Sequence, residues 1–218
     1  MEGKKIGIIA IVLGIGLVFH GCTVVIQKGR RSDIEKIQLL QRELDDLRSA
    51  KSMLEKRFAQ EIEDKNVSVK MSRKGLVITV LAKVLFDSGK AELKDTSFEI
   101  LDKVAEILNN EMLKHNVGIE GYTDNQPIKY SKWKSNWELS AHRALSVLHY
   151  LINKGVSPDR LSVIGYGEYH PVVPNTTPEN MQKNRRVEIV ILPRLVKNLQ
   201  AADLPEEKSE DLGEEILK

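Results

Sequence analysis

Residues 121–152 read GYTDNQPIKYSKWKSNWELSAHRALSVLHYLI. This stretch starts as the end of a strand, crosses a polar loop and finishes as an amphipathic helix. Ser135 or Asn136 is positioned to cap that helix, and Gly155 follows its expected end at Asn153. A short oxygen-bearing side chain satisfies free amides at a helix start, and glycine accepts the left-handed turn that ends one. Trp137, Ala141, Ala144, Leu145, Leu148 and Ile152 recur at helical spacing and form the expected core stripe. Asp124 opens the loop. Arg143 lies on the helix away from that stripe, with Asn136, Leu139, Val147 and Tyr150 near it on the wheel. Taken alone, Asp124 also fits an Asx turn on its own backbone, and Arg143 a solvated helical charge.

Outward from this segment the pattern alternates between strand and helix. VSVKM from Val67 and GLVITVLA from Gly75 are β-branched and alternate in polarity, as paired strands do. KVLFDSGKAELKD follows, with a turn at Asp87–Gly89. Asp95 or Thr96 is the expected cap of a helix whose apolar face is Phe98, Leu101, Val104, Ala105 and Leu108. Val117–Thr123, LSVIGYG from Leu161 and RVEIVIL from Arg186 read as strands, and GEYHPVVPNTTPEN from Gly167 as a loop. The expected class is α+β, with two main helices packed on a mixed sheet in βαβαββ order over residues 67–193.

The flanks differ in kind. Lys4 and Lys5 precede an apolar run from Ile6 to Phe19, and Cys22 follows shortly after. Residues 1–22 are therefore read as a lipoprotein signal with Cys22 the acylated residue, or as a membrane anchor extended through Ile26. Thr23 after the cysteine favours the outer membrane if lipidation occurs; the uncleaved helix would hold the chain in the inner one. Residues 23–66 are expected to form a helical or coiled-coil spacer, with Ile37, Leu40, Leu44, Leu47, Leu54 and Phe58 as its apolar seam. A homodimer through this stalk is one outcome; a solvated single helix about 50 Å long is the other. The acidic tail, 194–218, is expected to be disordered.

Composition narrows the function. Charged residues are 29% of the chain but the formal net charge is only +2, so no broad field for nucleic acid exists. The single cysteine forbids an internal disulfide. His20, His115, His142, His149 and His170 make no zinc-hydrolase frame, and no serine sits in a nucleophile elbow. No cofactor or metal is implied, and an enzyme is not expected.

The ordered blocks GYTDNQPI, SNWELSAHRALSVLHYLI, GVSPDRLSVIGYGE and NRRVEIVI resemble the peptidoglycan-binding domain of OmpA-like proteins, Pal-type lipoproteins and MotB-type flagellar stator proteins. VLFDSGKAEL matches the first loop of that domain, and the insert QPIKYSKWKSNW looks more like the stator branch. The resemblance implies that Asp124 and Arg143 clamp the zwitterionic end of diaminopimelate in the wall's stem peptide. Thr123, Asn136 and Leu139 belong to the same motif. The resemblance also brings Asn184 and Arg185 near the pocket, and Phe86 and Asp87 into its lining. The chemistry is sound: a carboxylate accepts from the ammonium, and a planar guanidinium grips the carboxylate with two parallel bonds. The implied function is non-covalent tethering of a bacterial envelope to its wall, from the periplasmic side. Two alternatives stand beside it. One is a coiled-coil scaffold with a passenger domain. The other is a stator-like subunit, although residues 6–26 contain no Asp or Glu to carry an ion.

Overall fold

The computed structural model describes residues 34–128 and 132–194. The expected signal with Cys22 and residues 195–218 of the acidic tail lie outside these residues. The chain divides into two compact units, Met1–Asp45 and Asp46–Lys218. Of the first, residues 34–45 are described; they are helical and leave Ile37, Leu40 and Leu44 exposed. No helix among the described residues is long and apolar enough to cross a membrane.

The second unit is built on a five-stranded sheet ordered β1-β2-β5-β3-β4. The strands are β1 (Val67–Ser72), β2 (Gly75–Leu81), β3 (Val117–Tyr122), β4 (Leu161–Gly165) and β5 (Arg186–Ile191). Only β3 and β4 run parallel; every other pairing is antiparallel. A parallel pair needs a crossover, and helix α2 (Asn136–Asn153) supplies it. Helix α1 (Phe98–Asn110) precedes β3, and α3 (Pro178–Asn184) leads into β5. Leu76, Ile78 and Val80 from β2, Val187, Ile189 and Ile191 from β5, and Val117 and Ile119 from β3 meet Leu101, Val104 and Leu108 of α1 and Val147 and Leu151 of α2 in one core. The α+β class and the mixed sheet are as the sequence indicates.

Four local readings differ. The compact unit starts at Asp46 rather than Val67. Leu47, Ala50, Leu54 and Phe58, read as spacer, are buried in the core cluster, and Lys103 pairs with Glu61 at 2.7 Å beside them. Heptad spacing marks an apolar stripe, but not whether a second helix or the domain itself covers it. Neither Asp95 nor Thr96 caps α1. Residues Asp95–Ser97 form a 3₁₀ turn instead, with the Ser97 hydroxyl donating to Lys94 O at 2.6 Å. Only the end of the proline-rich segment, Pro178–Asn180, is helical: it opens α3, which Thr177 starts by accepting from Asn180 N through its side chain. Finally, α2 is rotated from its expected phase. Ser140, Ala144, Val147 and Leu151 are buried, whereas Trp137 is 48% exposed.

That rotation has a cause in two glycines that are register partners on neighbouring strands, Gly121 and Gly165. A β-carbon on Gly121 would lie 2.0 Å from Ser140 O, and one on Gly165 2.7 Å from Ala141 N. The missing side chains let α2 settle onto the ends of β3 and β4. Small residues of the helix face the sheet there, and its next face, with Leu139 and Arg143, turns toward the 86–94 loop.

Candidate functional site

The C-terminal ends of β3 and β2, the N-terminal half of α2 and the end of α3 enclose a cleft of about 800 Å³. Asp124 enters it two residues after β3 ends. Its Oδ1 accepts from Gln126 N at 3.3 Å, which is the Asx arrangement, while Oδ2 accepts from Arg185 Nη1. The carboxylate thus serves the loop and the cleft together. Arg185 reaches it because α3 ends at Asn184, which delivers the next residue to the cleft wall.

Arg143 comes from the third turn of α2 and is 4% exposed. Its Nε donates to Lys90 O at 2.9 Å, and its guanidinium lies 5.2 Å from the centre of the Phe86 ring. Among the described residues no acceptor binds its two terminal nitrogens. Burial, and then the neighbouring Arg185, push its pKa down to about 10 against the opposing pull of Asp124. The group stays charged at neutral pH but is short of counter-charge. Asn136, at the start of α2, ties the layers together through Nδ2, with contacts to Gln126 O at 3.0 Å and Glu168 Oε2 at 2.6 Å. Ser135 caps this helix by accepting from Glu138 N. Thr123 is buried beside Asp124, and its Oγ1 has no hydrogen-bond partner among the described residues.

Of the nine residues named from the sequence, Phe86, Asp87, Thr123, Asp124, Asn136, Leu139, Arg143 and Arg185 line this one cleft. Asn184 does not. It is fully buried, and its amide accepts from Val172 N and Val173 N and donates to Val173 O and Asn175 Oδ1, pinning the proline-rich loop. Adjacent residues there do different jobs. Arg185 faces the cleft, while Arg186 stacks 3.6 Å from the Tyr122 ring and pairs with Glu188. Lys83, Lys94, Gln126, Ile128 and Met181 also line the cleft and had no sequence signal as site residues. Glu168, which orients Asn136, lay visible in GYGEYH but without a reason to single it out. Among the described residues no cluster of His, Cys, Asp and Glu could hold a metal. An anionic acceptor and a desolvated cation in one cleft suit a small ligand carrying both charges.

A helical layer on this mixed sheet, with an acid after β3 and an arginine on the crossover helix, defines an OmpA-like domain of the MotB type. Residues 85–185 match the OmpA family model, and this part of the chain is an OmpA-family domain. Motility protein B of Bacillus subtilis is 39% identical over 151 residues, 69% of this chain and 58% of that protein. Peptidoglycan-binding protein ArfA of Mycobacterium tuberculosis is 40% identical over 108 residues, 50% of this chain and 32% of that protein. A crystal structure of a putative MotB-like protein from Desulfovibrio vulgaris superposes with a TM-score of 0.65 at 32% identity, covering 71% of this chain and 99% of that one. The chain spans only about half the length of the first curated relatives it matches.

Proposed function

We propose that this chain binds cell-wall peptidoglycan non-covalently and tethers a bacterial envelope to it. The domain grips the free zwitterionic end of diaminopimelate in the stem peptide. In this reading Asp124 receives the ammonium, Arg143 the carboxylate, and Arg185 reinforces the pair. Phe86, Leu139 and Asn136 shape the walls around them, and Thr123 offers its hydroxyl. The observation that carries the reading is the convergence of Asp124 and Arg143 on one cleft, although they lie on different elements. ArfA, a relative named for peptidoglycan binding, supports the same ligand class. The proposed role is that of a binding module, not an enzyme. Each charge-assisted bond contributes about 1.5–3 kcal/mol, so a single site binds weakly. A polymer offering many stem peptides to an anchored domain makes weak sites sufficient.

The anchor in this proposal is a lipid on Cys22, with an uncleaved N-terminal helix as the other form. Mass spectrometry of the mature N-terminus separates them, because an intact Met1 rules out the lipid. Residues 34–45 expose Ile37, Leu40 and Leu44, which supports pairing of two copies through that helix. For the wall-binding reading, the test is co-sedimentation of the protein with purified sacculi, with free diaminopimelate as competitor. Sedimentation abolished by the competitor is expected; sedimentation unchanged by Arg143→Ala in a folded protein overturns the site.

A further inference from the structure

The charges lining the cleft do not balance. Among the described residues, Lys83, Lys94, Arg143 and Arg185 face only Asp87 and Asp124. Asp87 is engaged by Lys90 at 3.1 Å, and Asp124 by Arg185. Arg143 lies buried over Phe86 with its terminal nitrogens unclaimed among the described residues. The cleft therefore lacks an anion before any ligand arrives.

The buried carboxylate that a ligand ammonium meets beside Arg143 is Asp124, and it already serves Arg185. Entry of the ammonium alone would leave three cations around one anion. A ligand that brings its own carboxylate restores the balance. The released Arg185 and the unclaimed end of Arg143 then share a new acceptor, and a planar guanidinium binds a carboxylate through two parallel bonds. A carboxamide in the same place fails in two ways. It brings no charge, and its NH₂ presents donors to guanidinium donors that need acceptors.

Resting on the reading above, we propose that the cleft selects stem peptides whose free diamino-acid end keeps its carboxylate, and discriminates against the same peptides with that carboxylate amidated. Arg185 is the selecting residue, exchanging Asp124 for the ligand's carboxylate. Loss of one charge-assisted bond corresponds to about a 10- to 100-fold weaker affinity.

The test is calorimetric titration of the full-length protein in detergent with two synthetic stem tetrapeptides. Both contain diaminopimelate bonded through both groups of one centre, and they differ only in whether the free centre carries a carboxylate or a carboxamide. The expected result is binding of the carboxylate form and at least tenfold weaker binding of the amide. Arg185→Gln is expected to shrink that ratio, since Arg143 alone remains to read the carboxylate. Equal affinity for the two peptides overturns the selectivity and leaves the wall-binding reading intact, whereas no binding of either overturns that reading itself. An unchanged ratio in Arg185→Gln removes Arg185 from the selecting role. The wild-type comparison uses no variant, so a folding defect in Arg185→Gln cannot hide the outcome.

Discussion

Gly121 lies against Ser140 so closely that a methyl group on it would sit 2.0 Å from the Ser140 carbonyl oxygen. The obstacle is helix backbone, which cannot rotate away as a side chain can. The spacing between β3 and α2, and with it the separation of Asp124 from Arg143, depends on this absent side chain.

Gly121→Ala is therefore expected to destabilise the domain by about 1–3 kcal/mol or more through overpacking. Urea unfolding measures the loss. Because the residual folded protein must displace α2, its affinity for sacculi is expected to fall further than its folded fraction. A variant with unaltered stability would show that α2 does not rest on this contact.

Asp124→Asn separates the two roles of that carboxylate. The amide oxygen still accepts from Gln126 N, so the turn is kept. Arg185 is 36% exposed at its side chain and can turn to water, so the stability change is expected to stay within about 1 kcal/mol. Binding of a diaminopimelate peptide is expected to drop about 10- to 100-fold. Thermal melts and titration calorimetry, run on the same sample, check both halves.

Phe58 and Leu54 test the upstream boundary of the domain. Both are completely buried. Phe58→Ala is expected to cost about 3–5 kcal/mol and Leu54→Ala about 2–5 kcal/mol, as truncations in a packed core do. A chain starting at Val67 is expected to unfold at lower urea than one starting at Asp46. Matching midpoints would return residues 46–58 to the role of a spacer.

Asn184→Ala distinguishes a structural residue from a binding one. Four hydrogen bonds to the 172–175 segment are lost, leaving the amides of Val172 and Val173 without their acceptor. A loss of about 1–3 kcal/mol is expected from the abandoned groups. Hydrogen exchange at residues 172–175 is expected to accelerate, with affinity of the folded protein changed little. A large loss of affinity at full stability would place Asn184 in the site after all.

Several parts of this molecule are legible along the chain. The alternation in 75–82 and 186–192 marks β2 and β5, and the capping side chains at Ser135 and Asn136 mark the start of α2, with Ser135 the one that caps. The blocks around Asp124 and Arg143 point to both residues before any geometry is known. Less legible was Asn184, which shares a motif with Arg185 yet turns into the interior. Short motifs record which residues travel together, not which way each one points. The expected stripe of α2 failed for a related reason. A helix wedged between a sheet and a loop buries two faces, and apolar periodicity alone cannot say which of them meets the sheet.

Along the chain the readable features are local: periods of two and of 3.6, a cap, a glycine stop, and the order of the strands and the two main helices. These follow from dihedral preferences and from how often an apolar side chain recurs, and both act over a few residues. Which distant surfaces meet is settled by packing of the folded chain. Arg185 reaches Asp124 across 61 positions, and Leu54 and Phe58 enter a core completed by strands far downstream. Such contacts arise because each buried surface must be covered by some other one, and the covering partner is chosen by shape and close approach after the chain has folded back on itself.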